Sequence, residues 1–169
     1  MDWNRVWRKI GKVAKEAALL LLVVFILSNI ISWLRTPKLE SDVLTLKEAT
    51  LIDSTAWRYE EGKPLVLHFW GTWCPVCRTE APNIDSIAKA YNVVTVAVNS
   101  GDDATVAHYL KVHNLHFNVI NDPQGKLAKR FSVTVFPTTF IFDADGRLKF
   151  TEAGYTTTAG LLARLKIAH

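Results

Sequence analysis

Cys74 and Cys77 are the only cysteines among 169 residues, and they stand together in Cys74-Pro75-Val76-Cys77. Two thiols at that spacing can carry redox chemistry. One attacks a foreign disulfide as its thiolate, and the other, about one helical turn on, resolves the mixed disulfide. Pro64 to Trp70 (PLVLHFW) reads as a strand buried on both faces, and the residues from Pro75 onward read as a helix. Cys74 then falls at a helix N-terminus, where unpaired N–H groups and the helix dipole stabilise a thiolate. Pro75 suits the first helical position, because its missing N–H would have had no partner there. An inert structural disulfide closing so small a loop would stabilise little. Zinc needs about four ligands, and only His68 stands near. Covalent haem attachment needs histidine directly after the second cysteine, where this chain has Arg78. The motif calls for no cofactor.

The elements that must position this pair follow from patterning. The helix is expected from Pro75 to about Tyr91, with Ile84, Ile87 and Ala88 on its apolar side. Val93 to Val98 is a second buried strand, Asp102 to His113 a helix, and Phe117 to Ile120 a short strand. Asp122-Pro123-Gln124-Gly125 turns into a helix ending at Phe131. Thr138 to Asp143 and Leu148 to Glu152 form a hairpin across Asp143-Ala144-Asp145-Gly146. A last helix is capped by Thr156, Thr157 or Thr158 and packs through Leu161, Leu162 and Leu165. The order implies an α/β fold with a central mixed sheet, one half parallel and the other an antiparallel hairpin.

The net charge of +4 hints at nucleic acid until the chain is divided. Residues 1–38 hold seven basic side chains against two acidic, a net +5; residues 39–169 hold 13 against 14, a net −1. The domain is near neutral, so no nucleic-acid partner is expected. The basic head precedes Ala17–Leu34, 18 residues without a formal charge. As a helix that run spans about 27 Å, close to the roughly 30 Å of a hydrocarbon core. Five basic residues precede it, so the positive-inside rule places the N-terminus in the cytoplasm and the rest outside. A cleaved signal peptide is the competing reading, but the run is long for one and SNIISWLRTP offers no small-x-small cleavage site. A buried core helix is the other alternative. The expected organisation is a basic tail and transmembrane signal-anchor over 1–34, a linker over 35–45, and a domain over 46–169.

Phe69–Pro82 (FWGTWCPVCRTEAP) and Val135–Leu148 (VFPTTFIFDADGRL) together resemble the TlpA/ResA-like branch of the thioredoxin superfamily. Within it, the N-terminal run and Trp73-Cys74-Pro75-Val76-Cys77 look most like the suppressor-for-copper-sensitivity protein D group. The resemblance covers about residues 40–169. It implies a thioredoxin-like fold with an inserted αβ unit and a redox-active disulfide between Cys74 and Cys77. It also implies a cis peptide before Pro137, facing the cysteines; the alternative is a trans edge-strand proline. Phe136 would pair its backbone with an extended partner segment, as in strand addition. Trp73, Pro75, Val76 and Thr138 would complete the binding surface. Glu80 matches the family's acidic residue and could move a proton when thiols ionise; a surface glutamate near the helix start is the alternative. Pro82 completes the family's Glu-x-Pro.

Two positions depart from relatives of the same type. Ordinary thioredoxins carry a buried aspartate six residues before the first cysteine, where this chain has His68, which is either simply packed or the proton acceptor. Cytochrome c maturation thioredoxins usually carry an acidic residue after the cis-proline, where this chain has Thr138. The expected activity is thiol–disulfide exchange in the periplasm of a bacterial inner-membrane protein. Its partners would be disulfide-containing or dithiol proteins, whose disulfides it would reduce; it would be recharged by a membrane electron donor and be linked to copper tolerance. The alternatives are a protein-disulfide oxidase or isomerase partner, a cuprous-copper module using the same cysteines, and a redox-inactive adaptor.

Overall fold

The computed structural model describes residues 15, 16, 19–23, 26, 37 and 42–168. The chain divides into two units, Met1–Arg35 and Thr36–His169. In the first, Leu19–Val23 and Ile26 are helical and exposed. The rest of the expected tail and anchor over 1–34, and most of the linker over 35–45, lie outside the described residues. Among the described residues no helix is long and apolar enough to cross a membrane.

The second unit begins with a small hairpin, β1 (Glu48–Thr50) and β2 (Ala56–Arg58). There follow β3 (Leu65–Trp70), α1 (Pro75–Ala88), β4 (Asn92–Val98), α2 (Asp103–Val112), β5 (Asn118–Asp122), α3 (Lys126–Arg130), β6 (Thr138–Phe142), β7 (Leu148–Ala153) and α4 (Thr158–Ile167). The main sheet has the order β5-β4-β3-β6-β7. β3 pairs parallel with β4 and antiparallel with β6, so it lies at the centre, and all six of its residues are buried. This is the expected mixed sheet, and α2, β5 and α3 form the inserted unit.

Alternation along the strands sends side chains to two different cores. One face holds Leu65, Leu67, Phe69, Val94, Val96, Phe140 and Phe142, covered by Trp57, Tyr59, Ala128 and Phe131. The other holds Val66, Trp70, Val93, Ala97 and Ile141, covered by Ile84 and Ile87 of α1, Val106 of α2, and Leu161 and Leu165 of α4.

Several boundaries differ from the sequence expectation. α1 stops at Ala88, because Lys89 caps it and Ala90 and Tyr91 both bond back to the Ile87 carbonyl. The strand expected over 117–120 runs from Asn118 to Asp122, where the Asp122 carboxylate receives the N–H groups of Lys126 and Ala128 and so starts α3. The linker expected to reach residue 45 ends earlier. Val43 bridges to Arg147, and Leu44 is buried in the core. The β1–β2 hairpin carries no expectation from sequence.

Candidate active site

Cys74 caps α1 and Pro75 takes the first helical turn, as the motif implies. Its Sγ accepts the Cys77 N–H at 3.2 Å and is bonded to Cys77 Sγ, with 5.3 Å between the two Cα atoms. Both cysteines are nearly covered, 4% and 2% exposed, whereas Trp73, Pro75 and Val76 around them are open to solvent or partly so. These three side chains form the exposed surface next to the sulfurs.

The loop entering α1 is tied down. The indole Nε1 of Trp73 donates to the Val98 carbonyl at 3.0 Å. Ser100 Oγ accepts the Thr72 N–H and donates to the same carbonyl, each at 3.0 Å. Gly71 is required here, since a Cβ would stand 2.6 Å from the Trp73 ring. The Trp73 ring meets that of Phe136 edge-on, centroids 5.3 Å apart. The Phe136–Pro137 bond is cis, as the resemblance implied. Phe136 thus reaches the cysteine loop through Trp73, and Pro137 follows it across the cis bond. Thr138, expected on the binding surface, is instead fully buried, and its hydroxyl donates to the Val135 carbonyl at 2.7 Å. It shapes the turn around the cis bond, and its side chain cannot contact a partner.

Glu80 lies three residues past Cys77 and is 0% exposed, which excludes the surface-glutamate alternative. Residues three apart on a helix are neighbours, so the carboxyl shares a side of α1 with Cys77. Its Oε1 accepts the Thr156 N–H at 3.1 Å, while Oε2 is buried without a partner among the described residues. Burial pushes this carboxyl up to about 8, helped by the charge of Glu152 and opposed by the Thr156 bond. A carboxyl so placed titrates near a thiol's range and can trade a proton with one.

His68 is also buried, with Nδ1 2.9 Å from Thr139 Oγ1. Burial lowers it to about 3, so the ring is neutral. It belongs to a polar row crossing four strands on the α1 side of the sheet: Thr95 pairs with His68, His68 with Thr139, and Thr139 with Glu152. Thr95 Oγ1 accepts the Trp70 indole N–H at 3.1 Å and donates to the Asn118 carbonyl at 3.0 Å, which makes Trp70 a core residue. Arg164 closes the row on Glu152 at 2.6 Å. Among the described residues no group of three or more His, Cys, Asp or Glu could hold a metal ion.

Sequence reasoning missed Thr156, Asn83 and Tyr155. Asn83 lies on α1, and Tyr155 and Thr156 reach that helix only from the connection between β7 and α4, more than seventy residues away along the chain. Nothing local in the sequence signals that contact.

The chain matches the AhpC/TSA family over residues 41–151. A "thioredoxin-like protein" of Haemophilus influenzae is 35% identical over 163 residues, covering 95% of this chain and 97% of that protein. The sporulation thiol-disulfide oxidoreductase A of Bacillus subtilis is 32% identical over 108 residues, 60% of this chain and 66% of that one. Among solved structures, the exposed lipoprotein thioredoxin Etrx1 of Streptococcus pneumoniae superposes with a TM-score of 0.62 at 30% identity, over 71% of this chain and 97% of that one.

Proposed function

The chain belongs to the AhpC/TSA family and is a protein thiol–disulfide oxidoreductase, and we propose that it works as a reductant of partner-protein disulfides, anchored in the inner membrane with its domain in the periplasm. The observation that carries the exchange chemistry is the Cys74–Cys77 bond at the start of α1. The Cys74 thiolate attacks one sulfur of a partner disulfide. A Cys74–partner bond forms, and the partner's other sulfur leaves as a thiolate. Cys77 then gives up its proton and attacks Cys74 Sγ. The Cys74–Cys77 bond closes, and the partner departs with two electrons as a dithiol. Glu80 takes the Cys77 proton in this direction and returns it when a membrane dithiol donor reduces the pair. Trp73, Pro75 and Val76 receive the partner, and the Phe136 backbone at the cis bond pairs with its extended segment.

The reducing direction is supported by the resemblance of Phe69–Pro82 and Val135–Leu148 to a branch whose members are mostly reducing. The anchor is supported by the uncharged Ala17–Leu34 run behind a basic head. The link to copper tolerance is supported by the likeness to the suppressor-for-copper-sensitivity protein D group. Cys77→Ser in the full chain is expected to accumulate mixed disulfides through Cys74 in cells. Non-reducing gels that show none overturn the exchange mechanism. Equilibration with glutathione buffers tests direction: a potential near about −270 mV is that of a reductant, and one near about −120 mV that of an oxidant.

A further inference from the structure

Val76 and Tyr155 are large apolar side chains left 45% and 50% exposed beside the redox pair. Together with Pro75 and Thr79 they line a hollow of about 370 Å³. Its floor is the outer side of the first turn of α1, and its wall is the Tyr155 ring from the connection between β7 and α4. Apart from the tyrosine hydroxyl, no lining side chain ionises.

The ring is held in place. Asn83 Nδ2 donates to Tyr155 Oη at 3.2 Å and to the Thr156 carbonyl at 3.0 Å, while Asn83 Oδ1 accepts the Thr158 hydroxyl at 3.0 Å. One amide two turns behind the cysteines thus fixes both the backbone and the ring that face the hollow. An exposed aromatic with its polar end already bonded offers an apolar face at little cost in side-chain entropy.

We propose that Pro75, Val76, Thr79 and Tyr155 form a subsite for one apolar side chain of the partner polypeptide, next to the cysteine that Cys74 attacks, and that Asn83 positions Tyr155 for it. The proposal rests on the exchange reading above. The occupant is fixed by continuity, because Pro75 and Val76 are themselves the residues between the two cysteines. It is also fixed by chemistry, because an acidic or basic side chain would be desolvated there without a partner. Trp73 and Phe136 lie on the other flank and are not part of this hollow.

The test uses the full chain and two disulfide-bridged peptides that differ only at the residue flanking the cysteine, Phe in one and Ser in the other. The wild type is expected to favour the Phe peptide by about tenfold in kcat/KM, carried by KM. Tyr155→Ser is expected to cut that preference to about twofold or less. Tyr155→Phe breaks only the Asn83–Tyr155 bond and is expected to lower the preference by an intermediate amount; Asn83→Ala also removes the bonds to the Thr156 carbonyl and the Thr158 hydroxyl and is expected to lower it at least as far. Oxidised glutathione, with no side chain for the hollow, separates the two readings. If the wild type exchanges with glutathione yet treats both peptides equally, or if Tyr155→Ser keeps the full preference, the subsite is overturned and exchange stands. If it exchanges with none of the three, the exchange reading falls and the subsite with it.

Discussion

The two faces of the central sheet are built from the same strands and to opposite ends. On the face covered by α3 and the β1–β2 hairpin, Phe69, Phe131 and Phe140 pack ring to ring at 5.4–5.8 Å, among aliphatic residues and further aromatics, Trp57, Tyr59 and Phe142. On the face covered by α1, the same alternation brings up Thr95, His68, Thr139 and Glu152 in one row, with Cys74, Cys77 and Glu80 above the sheet. The aromatic face gains free energy from every contact. The other spends some of it to keep a neutral histidine and a carboxyl with an unpartnered oxygen away from water. Stability and chemistry are thereby separated across a single layer of backbone.

The sharpest way to break that contrast is one variant on each face. Cys74→Ser is expected to reduce exchange to the uncatalysed background while leaving urea denaturation close to that of the reduced wild type. Phe140→Ala is expected to do the reverse. It loses about 3–5 kcal/mol of stability by cavity formation, and the surviving folded protein keeps the wild-type dependence of exchange rate on pH. A shifted pH profile in Phe140→Ala would show that the two faces are coupled.

Much of the chemical face was legible in the sequence. The buried run ending at Trp70 and the C-x-x-C with its helix-compatible Pro75 place the thiols without any tertiary information. Pro137 was legible only through resemblance, because nothing local distinguishes a cis from a trans proline. The polar row was not legible. His68, Thr95, Thr139 and Glu152 line up only once register is known, and register depends on pairings 13 or more residues apart. The β1–β2 hairpin escaped for a different reason: three-residue strands are too short to show a period of two, and Trp57 is the one fully inward residue of β2.

Next in size is Glu80→Gln. Gln keeps the oxygen that accepts the Thr156 N–H but cannot carry a proton. Exchange at neutral pH is expected to fall roughly a hundredfold, the lower end of general acid–base contributions. The inflection in rate near pH 8 should also vanish. Stability carries a matching signature. The folded carboxyl keeps its proton up to about pH 8, whereas the unfolded one releases it near its ordinary 4.5. Wild-type stability with the disulfide closed therefore declines as pH rises through that window, by a few kcal/mol in all, and Glu80→Gln is expected to be flat across it. Parallel declines in both proteins would mean that another group is titrating.

His68→Gln is expected to have the smallest effect on exchange, less than Glu80→Gln at every pH. The neutral ring is engaged with Thr139 and lies in the sheet layer beneath the helix that carries the thiols. Its effect belongs to stability and has the opposite sign. The unfolded imidazole gains a proton below about 6.5, while the buried one stays neutral down to about 3. Wild-type stability is therefore lost as pH falls through that window, and the variant should lose less. Denaturant midpoints from pH 7 to pH 4 measure this directly. If His68→Gln slowed exchange more than Glu80→Gln does, the histidine would be the proton acceptor. The row on the sheet would then belong to the mechanism, not to the packing that supports it.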